Sequence, residues 1–373
     1  MQKQKQKTNY STTIAIDSER SVFHFYTMND NDNSTIAHYV KGYTGGQFDD
    51  NFFVRFKSAV KAFAASTPSE TVRKVTVVLP DSVVLTDTLH IPTMQNPAQT
   101  KKTLSQTLEG IFRNFKDLRG GSYVLDQNKQ YTTFAITAVQ KRIVSSIFAA
   151  CSENKMLVDT LTYASGAAVA GAQILDSRLK NATFLFLDVK DVYSRLVFVS
   201  KGRPVGYYIF PFGLELLKST SVISEEKLFD HSYAELVIFD AKEKARSKTP
   251  GATEDGASNA LNKETRVIPK ALRREIPDTQ EGIRYENFRS FVKWVFNVME
   301  GNERLTELGK PEFICVNLPE ALSDVIPKAN EEYKDTGITF NRLFSNGATT
   351  GILSNLELYG GLSPKAIATV AKI

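Results

Sequence analysis

The chain has 373 residues, 42% of them hydrophobic and 23% charged, which excludes a collagen-like or wholly disordered polypeptide and suits two domains or one large bilobed one. Lysine and arginine exceed aspartate and glutamate by 46 to 41, but Lys3, Lys5 and Lys7 lie in a Gln/Lys tail, so the excess does not indicate a nucleic-acid or lipid partner. Cys151 and Cys315 stand apart without zinc spacing, as in a reducing cytosol, no secretion signal opens the chain, and no apolar run reaches the roughly 20 residues of a membrane span.

After a disordered tail over 1–11, β-rich runs at 12–16, 21–28 and 35–43 predict a three-strand meander. Phe52, Phe53, Phe56, Ala59, Val60 and Phe63 recur at helical spacing behind the cap candidates Asp49, Asp50 and Asn51. Val75 to Leu79 then reads as a strand buried on both faces. The order is βββαβ.

Residues 83–160 form an extra α+β block. Leu104, Leu108, Ile111, Phe112 and Phe115 mark a helix, 131–139 a strand, and Ile143, Val144, Ile147 and Phe148 a second helix. An Ala/Gly-rich helix crosses to the second half over 163–179, where Gly166 and Gly171 allow close packing. The second half, 181–373, repeats the plan with strands at 183–188, 192–200 and 203–210, helices at 233–245 and 287–300, a strand at 312–316 and a helix from Pro319 to Ile326. Residues 247–274 read as a mobile insert, and Trp294 lies on an apolar helix face, as a core residue would.

Two βββαβα halves joined by a crossing helix are similar to the plan of the actin, sugar-kinase and chaperone ATPases, the ribonuclease H-like α/β class with two lobes. The inserted α+β subdomain after the first-half strand resembles the branch holding the cell-division protein FtsA and the pilus assembly protein PilM. Val77-Val78-Leu79-Pro80-Asp81 followed by Leu89-His90-Ile91-Pro92 looks like the PilM junction, and 139–150 followed by 157–167 looks like its approach to the crossing helix. Ile209-Phe210-Pro211-Phe212-Gly213 and the helix with Ala234, Glu235 and Lys242 extend the likeness through the second half.

In this superfamily ATP lies between the halves, against an Asp-x-Gly hairpin in each and a Gly-Gly turn. Glycine there lets backbone N–H groups reach phosphate oxygens, and the Asp holds magnesium through water. The resemblance puts Asp17, Ser18 and Glu19 at the first hairpin, Asp188 and Lys190 at the second, Ser194 in place of a threonine, and Asn317 with Leu318 in place of the Gly-Gly turn. Glu19 and Lys190 stand where glycines belong, and a carboxylate facing a triphosphate repels it. Lys190 offers instead a positive charge that mimics part of the ligand. Asp17 and Asp188 are left with two readings, weak Mg-ATP contacts or plain hairpin-turn aspartates.

His24, His38, His90 and His231 have no metal spacing, and neither a Gly-x-Ser-x-Gly elbow nor a Walker-type loop occurs. No catalytic residue, metal site or cofactor is expected. The resemblance implies a scaffold of a type IV pilus or related machine, at the inner face of the membrane only through its partners. It would take the cytoplasmic tail of a PilN-like inner-membrane protein in extended form, in a groove between the first-half sheet and the insert. The alternation of Thr133 and Thr137 with Phe134 and Ile136 suggests a partly open sheet face for that peptide. No nucleic-acid partner is expected and self-association is left open; the alternatives are an active ATPase or an FtsA-like filament protein.

Overall fold

A computed structural model of the chain describes residues 10–18, 20–29, 35–44, 48–67, 74–111, 115–191, 193–210, 212–223, 279–300, 311–343 and 371–372. Glu19, most of the expected tail, the 233–245 helix with Ala234, Glu235 and Lys242, the 247–274 insert and His231 lie outside the described residues.

The first lobe begins with β1 (Tyr10–Asp17), β2 (Val22–Asn29) and β3 (Thr35–Gly42), an antiparallel meander. Helix α1 (Asp50–Ser66) starts where the Asp49 carboxylate accepts the Phe52 N–H at 2.6 Å. It lays Phe52, Phe56, Val60 and Phe63 onto Phe23 and Phe25. Each such ring contributes about 1.5–3 kcal/mol of burial, which fixes this helix to this sheet face. Strand β4 (Lys74–Leu79) adds to β1 in parallel.

The inserted sheet is β5 (Leu85–Pro92), β7 (Tyr131–Gln140) and β6 (Leu118–Gln127) in that spatial order, with α2 (Pro97–Ile111) on one face. Leu104 and Leu108 of α2 pack on Leu89, Ile91, Phe134 and Ile136. On the other face Ala135 and Leu125 join the core of the second lobe, and the Tyr123 hydroxyl donates to the Pro204 carbonyl.

The block expected over 83–160 is therefore too long. Helix α3 (Lys141–Ser152) packs on α1, and β8 (Leu157–Tyr163) lies parallel to β4, so both belong to the first lobe. Parallel pairing joins strands distant in sequence, so local pattern does not reveal it. A short strand β14 (Ala371–Lys372) pairs antiparallel with β8.

Helix α4 (Ala164–Leu175) crosses to the second lobe, buried at every position from Ser165 to Gln173 because Ala and Gly let β-structure close in from both sides. A Cβ at Gly166 would sit 2.9 Å from the Tyr163 ring.

The second lobe repeats the first. Strands β9 (Phe184–Val189), β10 (Ser194–Ser200) and β11 (Arg203–Phe210) form a meander, and β12 (Phe313–Asn317) and β13 (Thr339–Arg342) add in parallel beyond β9. The orders β3-β2-β1-β4-β8 and β11-β10-β9-β12-β13 are the same sheet twice. Helices α5 (Leu214–Lys218), α6 (Gln280–Glu300) and α7 (Val325–Glu332) cover it. The helix expected from Pro319 is a short 3-10 turn, Glu320–Leu322, followed by α7. Trp294 packs edge-on against Phe210 at 4.2 Å from a half-buried position at the core margin.

Both cysteines are free and buried. Burial pushes the Cys151 thiol up to about 12 and Cys315 higher still, so neither carries thiolate at pH 8. A maleimide at that pH is expected to leave the native protein unlabelled and to modify both in denaturant. Rapid labelling of native protein would contradict the packing.

Candidate functional site between the lobes

Asp188 is the next-to-last residue of β9 and lies on the sheet face turned to the first lobe, where its ladder neighbour Arg195 reaches Asp81. Its ladder neighbours are Arg195 on β10 and Asn317 on β12, so these three polar side chains share the cleft face of an otherwise apolar sheet. Asp188 has no solvent exposure; its Oδ1 accepts the Asn317 amide at 2.7 Å, and the Lys190 ammonium lies 3.3 Å from Oδ2, an ion-pair contact. Lys190 is itself buried. Its N–H donates to the Tyr193 carbonyl and its own carbonyl accepts the Leu214 N–H at 2.7 Å.

The turn holding Lys190 is tied down further. The Glu215 N–H donates to the Asp191 carbonyl at 3.1 Å, so the first amides of α5 bond to the turn. The Ser194 hydroxyl donates to the Phe212 carbonyl at 2.7 Å. Gly213 permits the approach, because a Cβ there would lie 2.1 Å from the Lys190 carbonyl oxygen and 2.8 Å from those of Asp191 and Tyr193. Leu318 is buried in the apolar core behind β12.

In the first lobe, Asp17 ends β1 and accepts the Arg20 N–H at 3.0 Å, the local bond of a turn aspartate, with His24 Nε2 4.0 Å from its other oxygen. Ser18 is buried beside it. The Arg20 guanidinium crosses the mouth of the cleft to the Asp191 carboxylate, so the two hairpins that the sequence pairs do face each other. Both ends of that bridge are exposed, which makes it worth under about 1 kcal/mol.

Deeper in, Asp81, which follows β4, receives the Ser165 N–H and hydroxyl at 2.8 Å each and pairs with Arg195 Nε at 3.1 Å. Asp81 and Arg195 come from different lobes and both side chains are 2% exposed. The Tyr207 hydroxyl donates to the Asp81 and Val84 carbonyls, and burial together with the Asp81 charge pushes its phenol upward, so it stays a donor. Tyr163, fully buried beside this cluster, is raised by the same burial. The sequence reading missed Asp81 and Arg195; the signal present was an arginine inside a strand with no polar face. Among the described residues, Asp81 pairs with Arg195 and Asp188 with Lys190.

Thr133, Ile136 and Thr137 do not lie on an open face. They are buried in β7, the central strand, because α2 covers one side and the second lobe the other. The Thr133 hydroxyl instead meets His90 Nδ1 at 2.9 Å. The accessible part of the inserted sheet is β6, where Gly120, Ser122 and Val124 are exposed, and no other strand pairs with its outer edge among the described residues.

Among the described residues no three His, Cys, Asp or Glu side chains could hold a metal ion, and no helix is long and apolar enough to cross a membrane. Among solved structures, a chain of the PilM-PilN type IV pilus biogenesis complex matches with a TM-score of 0.56 at 14% identity, over 96% of this chain and 98% of that one. The chain has the actin-like fold. The cytoplasmic domain of EpsL, an inner-membrane component of the type II secretion system of Vibrio cholerae, aligns with 76% of this chain and 95% of its own at 10% identity, TM-score 0.38. A Bacteroides thetaiotaomicron protein with an actin-like ATPase fold aligns over 96% and 98% at 9% identity, TM-score 0.40. No protein-family model and no curated protein sequence matches the chain.

Proposed function

We propose that the chain is a cytoplasmic, actin-like scaffold of a type IV pilus or related assembly machine, working without nucleotide and binding the extended cytoplasmic tail of an inner-membrane partner. The observation that carries the first part is the cleft, where the buried carboxylates among the described residues are already engaged. Asp188 is held by Lys190 and Asn317, Asp81 by Arg195 and Ser165, and the α5 amides by the 190–193 turn. These residues do not fit Mg-ATP, because an ion at Asp188 would have to displace a buried ammonium and a phosphate at the second hairpin would find the Leu214 and Glu215 amides already bonded. Asp17 and Asp188 are then structural turn and core groups.

The partner reading rests on the fold shared with the PilM-PilN complex and on β6. An extended peptide can add to the outer edge of that strand and place alternate side chains against Val124 and the end of α2, where Ile111 is also exposed. Strand β6 also contacts α3 and β14 of the first lobe, so it lies where lobe and insert meet.

A synthetic peptide of the cytoplasmic tail of a PilN-like inner-membrane protein from the same cell is expected to bind with a Kd near micromolar, about −8 kcal/mol. Val124→Arg is expected to weaken it at least about tenfold, a loss of roughly 1.4 kcal/mol, whereas Thr133→Ser leaves it unchanged. Undiminished binding by Val124→Arg would contradict the assignment to β6. Sedimentation of the protein with bare lipid vesicles, without any partner, would contradict attachment through a partner.

A further inference from the structure

The Asp188 carboxylate is withdrawn from water, and a buried carboxylate without a counter-charge is strongly destabilising. Arg195, its ladder neighbour, pairs with Asp81 at 3.1 Å and also donates to the Tyr193 hydroxyl at 3.3 Å. Asn317 supplies a neutral amide donor at 2.7 Å. The positive charge at Asp188 comes from Lys190, two residues along the same hairpin, whose backbone is fixed by its bonds to Tyr193 and Leu214.

We infer that the Asp188 carboxylate, held in place by the Asn317 amide, is a cation site whose occupant is tethered: the Lys190 ammonium is its built-in counter-ion, and removing it leaves a site for a free primary ammonium ion. A divalent ion matches the position poorly, since the carboxylate is the one anionic oxygen donor and Asn317 presents its N–H to it rather than an oxygen to a metal. Because the cation is part of the chain, the second lobe carries its full charge complement at all times. It has no ligand-free form in which Asp188 stands uncompensated. The inference rests on the nucleotide-free reading only in that Lys190 takes the place of a diffusible cation.

The test uses the full chain. Lys190→Ala removes the equivalent of a propylammonium group, and is expected to lower the melting temperature by about 5–10 °C. Propylammonium at tens of millimolar is expected to restore much of that loss in Lys190→Ala and to have no effect on the wild type. In Lys190→Met, where the side chain fills the space without charge, the amine is expected to do nothing. The double variant Asp188→Asn/Lys190→Met, which removes both charges, is expected to melt closer to the wild type than either single variant and keeps the question answerable if Lys190→Ala folds poorly. Equal effects of propylammonium and tetramethylammonium at matched ionic strength, rescue by magnesium but not by amine, or Lys190→Met as stable as wild type would each overturn the proposal. Mg-ATP binding by the wild type would defeat the nucleotide-free reading without touching the amine result, so the two failures are separable.

Discussion

Replacing Arg195 with methionine is expected to destabilise the protein by about 3–5 kcal/mol, the cost of leaving a buried carboxylate without its partner. Asp81 is held on one side by Ser165 of the crossing helix and on the other by Arg195 from the second lobe, with Tyr207 bonded to its carbonyl. One substitution therefore weakens the joint among both lobes, the crossing helix and the start of the insert. Asp81→Leu combined with Arg195→Met removes both charges and is expected to recover a substantial part of the loss, since well-packed apolar replacements of buried pairs are often neutral. Denaturant melts of the two single variants and the double decide it. A loss below 1 kcal/mol in Arg195→Met would show that the pair is not as buried as its geometry implies.

The second large effect is expected at Gly213. A methyl group there meets three backbone carbonyl oxygens, the nearest at 2.1 Å, and none can swing aside as a side chain would. Either the 190–193 turn or the start of α5 must move, which breaks the bonds from Leu214 and Glu215 and shifts Lys190 away from Asp188. Gly213→Ala is expected to cost about 3 kcal/mol or more, at the upper end of overpacking penalties. Gly206→Ala is the control: its added Cβ meets nothing within 4 Å, and its cost is expected to stay within about 0.5 kcal/mol. Similar melting of the two variants would contradict the tight seat of the hairpin.

The meanders and α1 were legible in the sequence because their burial is one-sided or continuous. Phe52, Phe56 and Phe63 recur on one helix face, and Phe184 to Leu187 is apolar throughout. Strands β5 and β6 were not, since Thr86, Asp87, Thr88 and His90 in one and Gly120-Gly121 in the other give weak apolar alternation. Strand β13 escaped notice because it has four residues and draws its stability from pairing with β12. At the site, the resemblance placed Asp17 and Asp188 at the two hairpins, and they lie at the last and next-to-last positions of β1 and β9. The partnership of Asp188 with Asn317 did not, because it depends on the register of two strands distant in sequence. Asn317 looked like a lost glycine and proves to be a hydrogen-bond donor. The alternation in β7 suggested an open face, but burial of both faces depends on α2 and the second lobe, which β7 alone does not encode.

In the nucleotide-free reading, Asp188 and Asp81 are held by the protein's own Lys190 and Arg195, which leaves neither carboxylate for Mg-ATP. Isothermal titration of the purified full chain with Mg-ATP, paired with its melting temperature in the same buffer, tests it most directly. No binding heat and no rise in melting temperature are expected up to millimolar nucleotide. A micromolar Kd, which at millimolar ligand would stabilise the fold by about 4 kcal/mol, with the effect lost in Asp188→Ala, would contradict the claim.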